Sequence, residues 1–310
     1  MRILLIVNAT ASSVTTRMRI VIRKALAADH DLEVAETSRR GHAARLARAA
    51  ARDGVDVVAV LAGDGTLNEA ADGLAGTTTA LAPLPGGSTN VYARSIGVPY
   101  DPIDATAALL TSLERGSVRR VGLGAAGGRH FLFHAGIGFD AAVIEQVERR
   151  SSLKRYAAHP LFLAAAVDTW LRRYDHRRGR FRVELPGGDV IDDLIFAIVS
   201  KTSPYTYLGK RPVVIAPSAR LDSALALTAF RVTGMTTVVR CGVSALLTGR
   251  RLRRHPDLAH RDGITRLSVT SDDPFPWQVD GDYLGETTRL DFEHRPGALR
   301  LVVPVDGPGA

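Results

Sequence analysis

The stretch that decides the fold is Val57-Val58-Ala59-Val60-Leu61-Ala62-Gly63-Asp64-Gly65-Thr66-Leu67-Asn68-Glu69. Residues 55–61 form an apolar run of strand length, which is typical of a strand covered on both faces. Residues 67–74, directly after the glycine turn, have the spacing of a helix. A buried strand that passes through a short turn into a helix predicts a parallel α/β sheet.

The residues on either side repeat this alternation of strands and helices. Strands are predicted at 2–7, 32–36, 55–61 and 79–84, and helices at 17–28, 43–52, 67–74 and from Asp101 onward. Pro102 suits the first turn of that last helix because its missing N–H is not needed there. The sequence therefore predicts an α/β domain over residues 1–122, with a doubly wound, mostly parallel sheet.

The sequence pattern changes in the remainder of the chain and predicts a second domain over residues 123–310. Strands are predicted at 129–135, 180–185, 190–199, 224–232 and 267–269, and helices at 141–149 and 161–172. Gly, Pro and Asp turns separate the strands, so we predict a mostly antiparallel β-sandwich. The glycine-rich segment 122–128 is the predicted boundary, and residues 288–304 are a candidate for returning to the first domain.

Composition limits the class of protein. The 310 residues are 45% hydrophobic and 23% charged, as in ordinary folded proteins. No run approaches the roughly 20 apolar residues of a membrane-spanning helix, and the apolar start is too short for a signal peptide. A single cysteine, Cys241, excludes an intrachain disulfide and a thiolate-rich metal site. The expected location is the cytoplasm.

The positive charge predicts an acidic partner. The net charge is +8 and the isoelectric point is about 10.0. Arginines cluster at 172, 173, 177, 178 and 180 and again at 250, 251, 253 and 254. Because Tyr174 is the single aromatic residue within the first cluster and the second contains none, no nucleic-acid partner is predicted. Peripheral association with an anionic membrane surface and plain solvated helix ends both stay open, as does a homodimer.

The turn after the strand 55–61 has the chemistry of a phosphate site. Free N–H groups and the helix dipole favour an anion there, and Gly63 and Gly65 let the backbone approach it. Thr66 can donate a hydroxyl, and Asp64 can reach a metal ion or a ribose. No lysine follows the second glycine, so this is not a Walker A loop. A generic strand–helix turn remains the alternative for this loop taken alone.

A second loop of the same design follows the next predicted strand. It reads Leu84-Pro85-Gly86-Gly87-Ser88-Thr89-Asn90 and leads into a helix that carries Arg94. The carboxyl ends of neighbouring parallel strands form one crevice, the usual ligand site of open α/β sheets. Two adjacent loops of this kind predict a nucleotide site.

Four motifs in fixed order resemble the diacylglycerol kinase catalytic-domain family, which includes sphingosine and ceramide kinases. They are the Gly63-to-Glu69 loop, the Pro85-to-Asn90 loop with Ala93-Arg94, Gly136-Ile137-Gly138-Phe139-Asp140-Ala141, and Val279-Asp280-Gly281-Asp282. The resemblance implies an α/β nucleotide-binding domain and a β-sandwich domain, with ATP and a lipid substrate meeting between them. A lipid kinase of the diacylglycerol or sphingoid type is the implied activity.

The same resemblance implies roles for individual residues. Asp64, with Gly65 and Thr66, would hold the triphosphate of ATP and its Mg²⁺. Asp280 would be the general base that takes the lipid hydroxyl proton, and Asp282 would orient it. The predicted nucleotide-binding set is Asn8, Gly63, Asp64, Gly65, Thr66, Asn68, Glu69, Gly87, Ser88, Thr89, Asn90 and Arg94.

The sequence departs from the family pattern at four places. Ala62 replaces a glycine, Val91 and Gly122 stand where the family tends to have Asp, and Asp282 replaces Glu. A catalytically weak or non-catalytic nucleotide- or lipid-binding homologue therefore stays open. So does a soluble kinase of the NAD kinase type, which shares a Gly-Asp-Gly-Thr loop.

Overall fold

The structure is a computed structural model that describes residues 1–8, 14–149, 164–174, 179–231, 244, 255 and 257–307. The chain divides into two compact units, Met1–Leu123 together with Pro296–Ala310, and Gly124–Arg295. Cys241, residues 161–163 of the predicted helix 161–172 and the arginine cluster at 250–254 lie outside the described residues.

The first unit is built around a parallel sheet. In chain order its elements are β1 (Arg2–Asn8), α1 (Thr16–Asp29), β2 (Asp31–Thr37), α2 (His42–Arg52), β3 (Val57–Ala62), α3 (Asp64–Leu74), β4 (Ala80–Pro85), α4 (Val91–Ser95) and α5 (Pro102–Glu114). The strands pair in the order β4-β3-β1-β2, all parallel. Beyond β4, the end of β15 (Asp282–Val302) pairs in parallel through Arg300 and Leu301.

Burial and capping explain why these segments form these elements. Every residue of β3 and of β4 is buried, as expected for strands covered on both faces. Helix α5 begins at Asp101, whose carboxylate accepts the N–H groups of Ile103 and Asp104 at 2.8 and 3.2 Å. This N-cap removes two unpaired donors, and Pro102 follows at the first helical position, as predicted.

The second unit consists mainly of antiparallel strands. Strand β5 (Val118–Ala126) leads into it, and its own elements are β6 (Arg129–Phe131), β7 (His134–Gly138), α6 (Phe139–Arg149), a π-helix (Thr169–Arg173), β8 (Phe181–Glu184), β9 (Val190–Ser200), β10 (Thr206–Leu208), β11 (Arg211–Val213), β12 (Leu225–Arg231), β13 (Leu258–Ile264), β14 (Arg266–Val279) and the first part of β15. The prediction of mixed α/β content with many antiparallel strands is confirmed.

The strands of this unit do not pair as two separate sheets. Strand β9 pairs with β8 through its first half and with β7 through its second half. Strand β14 likewise pairs with β8 near Val269 and with β7 near Gln278, with an irregularity between Thr270 and Phe275. The four strands therefore pair in a closed ring. Long strands that bend at bulges can change partners along their length, which a prediction of short strands misses.

The predicted boundary segment, residues 122–128, lies largely within β5, and the division between the two compact units falls between Leu123 and Gly124. Gly124 pairs there with Phe131, whose ring occupies the space in which a side chain at 124 would lie. The predicted strand 129–135 is broken into β6 and β7, because the backbone of residues 132 and 133 turns to donate to Asp280.

Among the described residues, we find no helix with the length and apolar character needed to cross a membrane.

Candidate active site

In the first unit, the two glycine-rich loops lie in direct backbone contact. A Cβ atom added to Gly87 would stand only 2.6 Å from the Cα atom of Gly63. The Asp64 carboxylate bridges the same two loops, since its oxygens accept the N–H groups of Val91 at 2.9 Å and Tyr92 at 3.1 Å. The loops thus form one rigid surface, and any side chain at Gly87 would separate them.

The second loop is closed by Asn90. Its side-chain oxygen accepts the N–H of Gly87, and its side-chain nitrogen donates to the Gly87 carbonyl, both at 2.8 Å. Asn90 is buried and has a positive φ of 50°, a conformation that asparagine tolerates better than most residues. Its side chain therefore sets the shape of the loop.

Several donors lie at the start of α3. N–H groups in the first turn of a helix have no partner within the helix, and Gly63 provides no side-chain cap. The Thr66 hydroxyl oxygen accepts from the Asn8 side chain at 3.3 Å, which leaves the hydroxyl hydrogen to donate elsewhere. Together with the dipole of this 11-residue helix, these groups favour an anion.

The second loop adds a positive charge. The Arg94 guanidinium donates to the Thr89 carbonyl at 3.4 Å and lies over the Tyr100 ring, 5.6 Å from its centroid. Ser88 is exposed, and its carbonyl accepts from the Tyr100 hydroxyl at 3.4 Å.

The surroundings of Asp64 limit its use as a metal ligand. Burial raises the pKa of this carboxyl, while the N–H groups of Val91 and Tyr92 and the charge of Arg94 act in the opposite direction. Each of its oxygens already accepts one N–H, so each keeps one lone pair. In the described parts of the chain, no group of three or more acidic, histidine or cysteine side chains could hold a metal ion.

Two predicted nucleotide ligands have other surroundings. The Glu69 carboxylate accepts the N–H groups of Gly41 at 2.7 Å and Ala43 at 3.1 Å, so it caps the beginning of α2. Asn68 is 1% exposed inside α3. The Glu69 side chain thus bonds to the start of α2, and the Asn68 side chain lies in the interior. Both residues lie beyond the first turn of α3, whose free N–H groups would bind a phosphate.

In the second unit, Asp280 is held by backbone groups. One carboxylate oxygen accepts the N–H of Leu132 at 2.7 Å, and the other accepts those of Phe133 and His134, each at 3.0 Å. Asp280 is 5% exposed and has a φ of 48°, and Gly281 has a φ of 84°. Asp-Gly with two positive φ angles is the preferred turn between paired strands, here β14 and β15.

Asp282 is the more accessible carboxylate of the pair. It follows the turn directly, at the first position of β15, and its side chain is 19% exposed. A guanidinium nitrogen of Arg129 lies 3.9 Å from the Asp282 carboxylate. This acid can therefore be reached by a ligand, whereas Asp280 is enclosed by main chain.

Sequence reasoning missed two polar side chains next to this turn, Gln278 and Tyr205. Both bond to Asp140, which had been noticed only as part of a motif. Gln278 lies two residues before Asp280, and a glutamine between the apolar residues Trp277 and Val279 was the available signal. Tyr205 lies in a polar loop, but its contact with Asp140 spans 65 residues and cannot be predicted from local sequence.

Comparisons with known proteins agree on one family. The model of the diacylglycerol kinase catalytic domain matches residues 2–126. A Pseudomonas putida protein named "Probable lipid kinase YegS-like" is 30% identical over 281 residues, which are 89% of this chain and 87% of that protein. A Chromohalobacter salexigens protein of the same name is 33% identical over 177 residues, but this match spans only 54% of its length.

A solved structure has the same fold. A crystal structure of a diacylglycerol kinase from Bacillus anthracis superimposes with a TM-score of 0.74 over 97% of this chain and 96% of that one, at 23% identity. The parallel sheet with two joined glycine-rich loops and the antiparallel second unit define a two-unit α/β protein. The chain belongs to the diacylglycerol kinase catalytic-domain family, a family of lipid kinases, which confirms the resemblance seen in its motifs.

Proposed function

We propose that this protein is an ATP-dependent lipid kinase that transfers the γ-phosphate to a lipid hydroxyl, of the diacylglycerol or sphingoid type. The observation that carries the proposal is the pair of loops joined by Asp64, in which glycine backbone and a helix start form one anion-binding surface. Membership of the family supplies the reaction class.

The first unit would bind the nucleotide. The N–H groups at the start of α3 and the Thr66 hydroxyl would donate to phosphate oxygens, and Arg94 would add positive charge. Since phosphoryl transfer depends mainly on positioning and charge neutralisation, a rigid surface of donors suits this task. Asp64 and Asn90 would act by holding that surface in shape.

The residues present fit Mg²⁺ only as a partner of the phosphates. Mg²⁺ in kinases is usually held by one or two carboxylates, substrate phosphates and water. Asp64 retains a lone pair on each oxygen and would supply one such ligand, whereas a site made by protein side chains alone is not found among the described residues. When bound, the ion would neutralise charge on the phosphates.

The acidic turn would serve the acceptor lipid. A general base needs a lone pair that the substrate hydroxyl can reach. Asp280 is enclosed by three N–H groups, so we assign the base to Asp282 and give Asp280 the task of anchoring the turn. The Asp282 carboxylate takes the hydroxyl proton, the lipid oxygen bonds to the γ-phosphorus, the bond to the β-phosphate oxygen breaks, and ADP leaves.

Labelled ATP and a panel of acceptors test the activity. The purified protein with Mg²⁺ is offered diacylglycerol, a sphingoid base and NAD in separate reactions, with Asp282→Asn as the catalytic control. Label in a lipid product that the variant does not form is the expected result. Label in NAD alone would identify a soluble nucleotide kinase, and ATP binding without transfer to any acceptor would identify a non-catalytic homologue.

Peripheral association with the membrane is part of the proposal, because the substrate lies in a lipid surface. The net charge of +8 supports attraction to anionic headgroups. Sedimentation with anionic vesicles should weaken sharply between low and high salt. Vesicle binding that does not change with salt concentration would refute this electrostatic contribution.

A further inference from the structure

We infer that Asp140, Gln278 and Tyr205 are positioning residues that fix the orientation of Asp282. The inference rests on the proposed function, since it concerns the acid assigned as the base. The three side chains form a buried hydrogen-bonded chain that ends on the backbone of the turn before Asp282.

The chain runs from a loop through a helix to the turn. The Tyr205 hydroxyl donates to one oxygen of Asp140 at 2.5 Å, and the Gln278 side-chain nitrogen donates to the other at 2.7 Å. The Gln278 side-chain oxygen then accepts the N–H of Gly281 at 2.8 Å. Each group uses the role that its chemistry allows, because a carboxylate can only accept and an amide can do both.

The backbone is shaped to receive this chain. Gly136 is the cross-strand partner of Gln278, and a Cβ atom added at Gly136 would lie 1.7 Å from a carboxylate oxygen of Asp140. Because Gly136 has no side chain, the side chains of Asp140 and Gln278 can meet in the space beside it. This accounts for two residues of the Gly136-to-Ala141 motif, the first glycine and the aspartate, neither of which contacts the proposed base directly.

The turn is consequently held from two directions. Asp280 is tied to residues 132–134 by its carboxylate, and Gly281 is tied to Gln278 by its N–H. Asp282 is the next residue and pairs with Val279 across the hairpin, so a shift of the turn would displace it. A base must be held in place to act, and a displacement of about 1 Å can reduce turnover about 10²-fold.

Burying these hydrogen-bonded side chains costs free energy, and the stability of the fold alone does not explain why they are present. Asp140 is 8% exposed, and burial raises the pKa of its carboxyl, which the Tyr205 and Gln278 hydrogen bonds oppose. Well-packed apolar side chains often replace such buried polar groups without loss of stability. A satisfied network does, however, specify one arrangement of the groups around it. We therefore assign the chain to orientation.

Exchanging the amide and the carboxylate tests the inference. Asp140→Asn keeps the chain, because the new amide oxygen can accept from Gln278 and the new amide nitrogen can donate to the Tyr205 hydroxyl. Gln278→Glu places two carboxylates together and breaks the chain. In the double variant the new amide can donate to the new carboxylate, whose other oxygen can accept from Gly281. We expect Gln278→Glu alone to lower kcat about 10²-fold with KM for ATP within about twofold, and Asp140→Asn and the double variant to stay within about tenfold of wild type.

A pair of tyrosine variants provides the matched control. Tyr205→Phe removes a hydroxyl bonded to Asp140, and Tyr174→Phe removes one bonded to the Ile195 carbonyl in the same unit. Both should lose similar thermal stability, but only Tyr205→Phe should lower kcat. Equal kcat in the two tyrosine variants, or a folded double variant Asp140→Asn/Gln278→Glu no faster than Gln278→Glu alone, would overturn the inference.

The outcome for Asp282→Asn separates this inference from the proposed function. If that variant is inactive while Gln278→Glu and Tyr205→Phe turn over at the wild-type rate, the positioning role is refuted and the base assignment stands. If Asp282→Asn itself keeps the wild-type rate, the base assignment fails and the positioning role fails with it.

Discussion

Replacing each acid of the turn by its amide should separate anchoring from chemistry. Asp280→Asn keeps the size of the side chain and suits the positive φ of 48°, because asparagine tolerates this conformation as well as aspartate does. The change therefore acts on hydrogen bonds and charge alone. Asp282→Asn changes a side chain that is 19% exposed and 3.9 Å from the Arg129 guanidinium.

The expected magnitudes follow from the contacts. In its best orientation, the new amide at 280 keeps its oxygen on the N–H groups of Phe133 and His134 and turns its nitrogen toward Leu132, 2.7 Å away. One charge-assisted hydrogen bond is lost, a buried N–H faces another donor, and the remaining two bonds weaken. We expect the free energy of unfolding to fall by about 2–4 kcal/mol. Asp282→Asn should cost less than about 1 kcal/mol, because a partly exposed ion pair contributes little.

Urea unfolding and hydrogen exchange measure these effects. Asp280→Asn should lower the urea midpoint and speed amide exchange at residues 132–134, whereas Asp282→Asn should leave both near wild type. Turnover should be abolished by Asp282→Asn and reduced by Asp280→Asn through misplacement of the turn. An Asp280→Asn variant with wild-type stability and exchange but no turnover would refute this reasoning and return the base to Asp280.

Three further predictions concern other residues. Thr66→Val should weaken ATP binding in calorimetry while Thr66→Ser should not, because only the former removes the hydroxyl; equal affinities would exclude a phosphate contact there. Glu69→Gln should lower the thermal stability by about 1 kcal/mol through the weakened cap on α2, with the Kd for ATP unchanged. Burial lowers the pKa of His134 from 6.5 to about 3, so the unfolded chain binds the proton more readily and stability should fall as pH drops from 6.5 toward 3, by about 2 kcal/mol at pH 5. His134→Leu should show a flatter dependence of its urea midpoint on pH, and an unchanged slope would refute a buried neutral imidazole.

The first unit follows closely from its sequence because local signals agree there. Apolar runs predict β3 and β4, and the Asp101-Pro102 pair predicts the start of α5. The structure of the second unit is predicted less well from its sequence. Its long strands change partners at bulges, and the 21 residues of β15 carry no continuous strand pattern. Partners far apart along the chain, such as Leu132 and Asp280, cannot be paired from local sequence at all.

The three acids most readily taken for ligands share one property in the structure. Asp64, Glu69 and Asp280 each accept two or three backbone N–H groups from a distant part of the chain. In a sequence, an acidic residue beside a glycine turn suggests a site for substrate or metal. The same carboxylate can instead accept hydrogen bonds from the N–H groups that loops and helix starts leave unpaired. Asp282 differs, because its side chain is partly exposed at the start of a strand, where the backbone N–H and C=O groups pair across the sheet. Enclosure of a carboxylate by backbone N–H groups therefore separates a residue that shapes a site from one that a substrate can reach, and on this ground we propose Asp282 as the base.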